Sequence, residues 1–341
     1  MSSSSTPIRL GIIGAGIFMR DAHLPSLRNL DSLYQVVAMC SRSGESARKL
    51  AETIPNEVAI YTDPAQLLAR EDIDAVDIVL PIHDMATVVR QALKSGKHLI
   101  SEKPIASDTV VGRQLLALYA ETAAQFPGQQ WMVAENWRYE AAFPLVKELI
   151  TQGELGRVLT FQWAQHVAMT PANKYFHSEW RRLGDLAGGF LLDVGVHHAS
   201  ALRLLFGEVA SVTADVEQFS PLLPPVDTLA ATIRMQNGIL GSYLLSFVTA
   251  SAWQPLLHIV GDAGSLRVQR GFVEVTSQGQ TRSIPCEGMN GVQKELAAFA
   301  ASLRSHEPHR NSPQEALQDL LVVEAMLKAA ETGQRCRVKQ V

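Results

Sequence analysis

A short apolar run that ends on a glycine turn constrains this chain more than any other feature. Ile8 to Ile13 is long enough for a buried strand, breaks at Gly14-Ala15-Gly16, and continues as a candidate helix after Ile17; Ile17 and Phe18 join the glycines as candidates for cofactor contact. Strand, turn and helix together aim free backbone N–H groups and a helix N-terminus at one point, which suits a pyrophosphate. Gly14 allows the tight turn, and Gly16 lets a phosphate approach with no Cβ in the way. Met19 stands where a third glycine would complete G-x-G-x-x-G. Taken alone, the same residues also describe any strand-to-helix turn in which glycine serves geometry.

Downstream of the turn, helix-like and strand-like segments alternate. Helix is predicted over about 22–30, strand over 34–40, helix over 46–53 and strand over 58–61. Asp63-Pro64 reads as an N-cap followed by proline at the first helical position. Strand over 75–80 ends at Pro81, helix over 85–94 stops at Gly96, and strand over 98–101 runs into Glu102-Lys103-Pro104. A further helix covers 108–123. This alternation predicts an α/β domain over 1–130: a Rossmann-type parallel sheet covered on both faces, with ligands beyond the carboxyl ends of its strands. Pro81 and His83 stand at one such end and are expected to flank a dinucleotide.

The pattern then changes. Strand is expected over 130–136 and helix over 143–152. Runs rich in Val, Thr and Leu come next, at 158–166, 209–219, 229–235, 241–249, 256–261, 265–268 and 272–276. Helices return over 292–303 and 313–332. Many strands with few helices between them predict an α+β domain over 131–341, built on a large, mainly antiparallel open sheet. The last helix is expected to pack back on the first domain.

Composition closes off other classes. Of 341 residues 47% are hydrophobic and 19% charged, which argues against disorder, and a net charge of −4 gives no reason to expect nucleic acid or an anionic membrane as partner. Cys40, Cys286 and Cys336 are odd in number and far apart, so neither a disulfide framework nor a zinc knuckle is written here. No apolar run reaches the roughly 18 residues needed to span a bilayer. The Ser-rich start, Met1 to Pro7, lacks the apolar core of a signal peptide, and a cytoplasmic setting is the default expectation.

The end of the second strand bears on cofactor choice. An NAD-preferring domain usually closes this strand with Asp or Glu, which binds the ribose hydroxyls and repels a 2′-phosphate. Here it ends Cys40-Ser41-Arg42-Ser43, with no acid before Glu45. Ser41 can hydrogen-bond a phosphate oxygen, and Arg42 can pair with it and stack on adenine. NADP(H) is therefore favoured over NAD(H), against the plainer reading of Arg42 as a surface residue.

Chemistry in the second half concentrates in Gly188-Gly189-Phe190-Leu191-Leu192-Asp193-Val194-Gly195-Val196-His197-His198. If a helix runs from 192, Asp193 and His197 share a face. A carboxylate and an imidazole presented together can grip a substrate hydroxyl and exchange its proton, and histidine titrates near neutral pH. An N-capping Asp with a helix-face His, or a metal pair completed by His166 or His177, are the competing readings. No third ligand has a recognisable spacing, so no metal is assigned.

The glycine turn, Glu102-Lys103-Pro104 and Gly-Gly-x-x-x-Asp-x-Gly-x-His come in an order and at separations that resemble the glucose–fructose oxidoreductase/inositol dehydrogenase/rhizopine-catabolism (Gfo/Idh/MocA) family. Ala134 to Tyr139, Gln152 to Val158 and Trp180-Arg181 fit as well, so the resemblance covers nearly the whole chain. Gly14 to Pro25, with His23 and Leu24, and Asn173-Lys174-Tyr175 are most similar to a fungal NADP(H)-dependent subgroup.

The resemblance implies an oxidoreductase moving hydride between a nicotinamide and a sugar, cyclitol or related hydroxyl or carbonyl compound. It makes Lys103 the lysine that stabilises charge on the substrate oxygen, with Pro104 aiming it, through a cis bond if one forms. Glu102 would hold Lys103 or the nicotinamide ribose. His197 becomes the general acid/base and Asp193 the group that orients the substrate. Asn136, Tyr139, Tyr175, Trp180, Arg181 and His198 are candidates for lining the substrate pocket, although core packing explains the Tyr and Trp residues equally well. A homodimer or homotetramer through the C-terminal sheet is implied too. The competing class is a catalytically silent NADP-sensing protein on the same fold, with a metal-dependent hydrolase as a third reading.

Overall fold

The computed structural model describes residues 6–250, 256–305 and 307–341. The first five residues of the Ser-rich start lie outside them. The chain divides into two compact units, one comprising the chain up to Glu135 with Val292–Ala316, the other Asn136–Gly291 with Leu317–Val341.

The first unit is a six-stranded sheet of β1 (Ile8–Ile13), β2 (Tyr34–Cys40), β3 (Ala59–Tyr61), β4 (Ala75–Ile78), β5 (His98–Glu102) and β6 (Trp131–Ala134). Its order is β3-β2-β1-β4-β5-β6, and every neighbouring pair is parallel. The connection reverses between β1 and β4, the switch point at which such sheets bind ligands. Helices α1 (Leu24–Arg28), α2 (Glu45–Ala51), α3 (Pro64–Leu68), α4 (Ile82–Lys94) and α5 (Thr109–Gln125) link the strands. Asp63 caps α3 by accepting the Ala65 N–H, with Pro64 at its first turn, and Asp108 caps α5 through Val111.

One expectation needs correction here, and one late segment groups with the first unit. The strand expected over 130–136 stops at Ala134, because Asn136–Tyr139 coils into a buried 3-10 turn. The first unit also holds Val292–Ala316, which carries α9 (Gly291–Ser305) from Val292 onward and the first residues of α10 (Pro313–Thr332); the rest of α10 groups with the second unit from Leu317. The reason is apolar: Val292, Leu296, Phe299 and Ala300 of α9 complete the core that holds Ile8, Leu10, Ile12 and Met39. Tyr34 fixes the helix by donating its hydroxyl to the Leu296 carbonyl, 2.6 Å away.

The second unit carries a nine-stranded sheet. Its strands are β7 (Val158–His166), β8 (Val209–Glu217), β9 (Thr228–Met235), β10 (Leu240–Ser246), β11 (Leu256–Gly261), β12 (Gly264–Val268), β13 (Phe272–Ser277), β14 (Gln280–Pro285) and β15 (Cys336–Arg337), ordered β14-β13-β12-β11-β7-β10-β9-β8-β15. It is antiparallel except where β10 runs parallel to β7. Neither edge strand, β14 nor β15, was expected: β14 has almost no buried side chains, and β15 is two residues long. Along β9 buried Leu229, Ala231, Ile233 and Met235 alternate with outward Ala230, Thr232 and Arg234. The inner face packs beneath α8 (Gly189–Phe206), where Phe206 stacks on Phe161 at 5.0 Å. Helices α6 (Ala142–Thr151) and α7 (Glu179–Arg182) complete the unit.

Candidate functional site

In the first unit the candidate residues gather at the carboxyl ends of β1, β2, β4 and β5. Gly14 has φ +107°, and a Cβ there would stand 2.0 Å from the Val79 carbonyl oxygen, so only glycine fits. A Cβ on Gly16 would meet nothing within 4 Å. The backbone here is therefore open to a ligand, as a pyrophosphate requires. Residues 17–28 are helical, beginning with Ile17 and Phe18, so the helix starts earlier than the sequence suggests. Met19–His23 forms a π turn, and Met19 is fully buried, filling the space a third glycine would leave.

Beyond β2, Ser41 accepts the Ala47 N–H at 3.3 Å and Arg42 is exposed. Pro81 directly precedes α4, and His83 lies exposed in its first turn. The Lys103–Pro104 peptide is cis. Glu102 turns inward: one oxygen accepts the Lys103 N–H at 3.2 Å, and the other meets His23 Nε2 at 3.0 Å. Glu102 as a residue is 7% exposed.

In the second unit the double glycine sets the start of α8. Gly188 and Gly189 have φ +79° and +48°, and a Cβ on Gly189 would press on the Pro224 carbonyl oxygen at 2.8 Å. The helix beyond them places Asp193 and His197 one turn apart. Arg181 donates to Asp193 Oδ2 from Nε (3.1 Å) and Nη2 (2.9 Å). Its guanidinium in turn lies 4.1 Å from the Trp180 ring centroid and 5.2 Å from that of Tyr175. Arg181 is thus the group that fixes Asp193, and the two aromatic rings hold Arg181.

His197 stacks on Trp137 with centroids 5.4 Å apart and planes at 14°. Trp137 appears in the sequence motif but not among the expected site residues; its signal, a tryptophan between Asn136 and Arg138 after a strand, is visible only once the 3-10 turn is known. Asn136 and Tyr139 of that turn are buried. His198 faces the core instead of a pocket. It is 1% exposed, and its ring lies against Trp163 at 4.4 Å and Trp137 at 5.0 Å. Its Nδ1 is 2.6 Å from the Tyr243 hydroxyl, and burial, then His197, holds its pKa well below the ordinary value. His198 is therefore neutral at physiological pH, and Tyr243 donates to it.

The metal alternative finds little in this arrangement. Asp193 is taken by Arg181, His177 Nε2 lies 2.9 Å from the Pro171 carbonyl, and among the described residues no three His, Cys, Asp or Glu side chains are grouped to hold an ion. No helix among the described residues is long and apolar enough to cross a membrane.

A dinucleotide-type parallel sheet with an open glycine turn, joined to an α+β unit that presents an Asp–His pair, defines a two-domain NAD(P)-dependent oxidoreductase. Residues 8–127 match the oxidoreductase family's NAD-binding Rossmann fold, and residues 147–339 match the same family's C-terminal alpha/beta domain. The chain belongs to the Gfo/Idh/MocA oxidoreductase family. It is 33% identical to Dehydrogenase FPY6 of Fusarium mangiferae, over 95% of this chain and 96% of that one. It is 25% identical to D-apiose dehydrogenase of Paraburkholderia graminis, over 100% and 93%. The crystal structure of the oxidoreductase TM0312 from Thermotoga maritima superposes with a TM-score of 0.89 at 33% identity, covering 97% of this chain and 98% of that one.

Proposed function

We propose that this chain is an NADP(H)-dependent oxidoreductase acting on a sugar, cyclitol or related hydroxyl or carbonyl compound. The observation that carries the proposal is the Asp193–His197 pair, with Asp193 fixed by Arg181 and His197 by Trp137. A bound nicotinamide dinucleotide supplies or takes the hydride. The residues of this chain do the rest. His197 accepts the proton of the substrate hydroxyl in the oxidative direction and returns it to the carbonyl oxygen in the reductive one. The Lys103 ammonium hydrogen-bonds that oxygen and stabilises its developing charge. Asp193 accepts from a neighbouring hydroxyl and so sets the substrate's orientation.

A polyhydroxylated substrate suits a site whose gripping groups are a carboxylate, an imidazole and a guanidinium, and a sugar is what the name of the D-apiose relative states for that protein. Tyr175 and Trp180 would flank the substrate beside Arg181, and Asn136 and Tyr139 would support it from the buried turn. For the cofactor, Gly14 and Gly16 would face the pyrophosphate, and Ser41 and exposed Arg42 the 2′-phosphate. Pro81 and His83 would flank it from the start of α4. The absence of an acid at the end of β2 supports NADP(H) over NAD(H). Cytoplasmic residence, consistent with three free thiols, and assembly as a homodimer or homotetramer through the outer face of the nine-stranded sheet belong to the same proposal.

Calorimetric titration with NADP(H) and NAD(H) separately tests the reading. Tighter binding of NADP(H), by about tenfold or more, is the expected result, since a lost charge-assisted phosphate contact costs at least about 1.4 kcal/mol. Tighter binding of NAD(H) would remove the roles of Ser41 and Arg42. Binding of neither would remove the proposed activity.

A further inference from the structure

Behind Lys103 the first unit holds a buried polar cluster that the proposed function leaves unused. His23, in the π turn after the glycine loop, is 0% exposed. Its Nδ1 lies 2.8 Å from Oδ2 of Asp77 on β4, and its Nε2 lies 3.0 Å from Oε1 of Glu102 at the end of β5. A ring with a carboxylate oxygen on each nitrogen donates to both only when doubly protonated. Burial alone would discourage that charge, but Asp77 and Glu102 more than reverse it and raise the His23 pKa well above its ordinary value. The ring edge of Phe18 packs against the imidazole at 5.3 Å.

The groups around this cluster limit its charge. Glu295, reaching in from α9, is 0% exposed. Burial first, then the charge of Glu102, push its carboxyl well above the usual range; His23 opposes this, and Glu135 and Asp77 add to it. Asn311 donates to its Oε2 at 3.2 Å. Tyr34 on β2 is also pushed up, by burial and by Asp77, and stays un-ionised. At its centre one imidazole lies between two carboxyl groups, and the far oxygen of Glu102 ends on the Lys103 N–H.

We propose that His23 is a positioning residue for Lys103: as an imidazolium bridging Asp77 and Glu102, it locks the Glu102 carboxylate against the Lys103 backbone. The inference rests on the role given to Lys103 above. A glutamate directly preceding a lysine has enough side-chain torsions to swing round and pair with the ammonium. Such an ion pair would take from Lys103 the hydrogen bonds it must give to the substrate oxygen. Held at both oxygens, Glu102 cannot make that move, and the turn carrying Lys103 is fixed to β4 and to the glycine-loop helix at once.

Two variants of the full chain separate positioning from packing. His23→Gln places an amide donor near the Nε2 position and keeps the contact to Glu102; His23→Asn places it near Nδ1 and keeps only Asp77. With a turned-over sugar substrate, we expect kcat of His23→Gln within about threefold of the parent and kcat of His23→Asn down by about thirtyfold or more, with KM and NADP(H) affinity changed little in both. Equal losses in the two variants, tracking a shared fall in thermal midpoint, would overturn the proposal. A second measurement needs neither activity nor substitution. Nitrogen-15 histidine NMR of the unliganded protein at pH 8 should show both ring nitrogens of His23 protonated, and a neutral ring would overturn the proposal. Undiminished turnover in Lys103→Ala would remove the function reading, and this inference with it. A dead Lys103→Ala beside two equivalent His23 variants would remove this inference alone.

Discussion

Truncating Lys103 to alanine takes away an ammonium at the end of β5 and leaves the glycine turn untouched; truncating His197 takes away the proposed proton acceptor on α8 and leaves Trp137 in place. Both variants should bind NADP(H) within about threefold of the parent, while turnover falls about 10²–10⁴-fold, the usual worth of a positioned acid–base or oxyanion group. Steady-state kinetics beside calorimetry checks this, and parental turnover in both would reject the assignment. At this scale the sequence singles out those candidates whose neighbours are close along the chain: Lys103 within Glu-Lys-Pro, and Asp193 and His197 four apart. It did not show Asp77 or Glu295 as part of the site. His23 finds its partners 54 and 79 residues away, and a lone Asp inside an apolar strand carries no local sign of an imidazole waiting across the sheet.

Elements are legible in the sequence where hydrophobic period and caps agree. β1, β2, β7, β11 and α10 fall on the expected residues, and Asp63 and Asp108 cap the helices that they precede. The reading failed where local pattern is overruled by partners. Gln130 to Asn136 looks extended, yet the chain turns at Asn136, and Trp137 goes under His197. β14 is recognisable only as the strand that pairs with β13. The strict alternation of β9 leads to a prediction for the outer face, where Ala230 opposes Leu244 and Thr232 opposes Ser242. Ala230, Thr232 and Ser242 are small enough for a second sheet to approach closely; two further arginines beside Arg234 would hold it off. The Ala230→Arg/Thr232→Arg double variant should run as a monomer in light scattering while keeping NADP(H) affinity within about threefold, because the substitutions leave the inner face and core unchanged. An unchanged assembly would mean that subunits pair elsewhere or not at all.

For the molecule as a whole, wholly or partly buried histidines of opposite kind give opposite pH dependences. Burial holds His309 down to about 4, so between its unfolded value near 6.5 and pH 4 the unfolded chain binds a proton that the folded chain refuses. Stability therefore falls as pH drops through that window, by roughly 2–3 kcal/mol from this residue. His198, depressed as well, adds to the same loss. His23 works the other way: its raised pKa contributes stability that is complete below the unfolded value and is lost only as pH rises through the folded one. Unfolding midpoints between pH 7 and 4 should drop less steeply for His309→Gln than for the parent, and parallel curves would show that His309 does not titrate as described.

The return of α9 to the first unit also has a consequence for how the protein is made. A ribosome delivers β1 to β6 and then some 156 residues of the second unit, 136–291, before Leu296 and Phe299 emerge. At about 5–20 residues per second that interval lasts about 8–30 s. Throughout it, the apolar patch that α9 covers has no native partner, and Tyr34 lacks the carbonyl its hydroxyl binds in the finished fold. The nucleotide domain begins first yet is completed late, so its nascent form is where a chaperone would be expected to engage this chain.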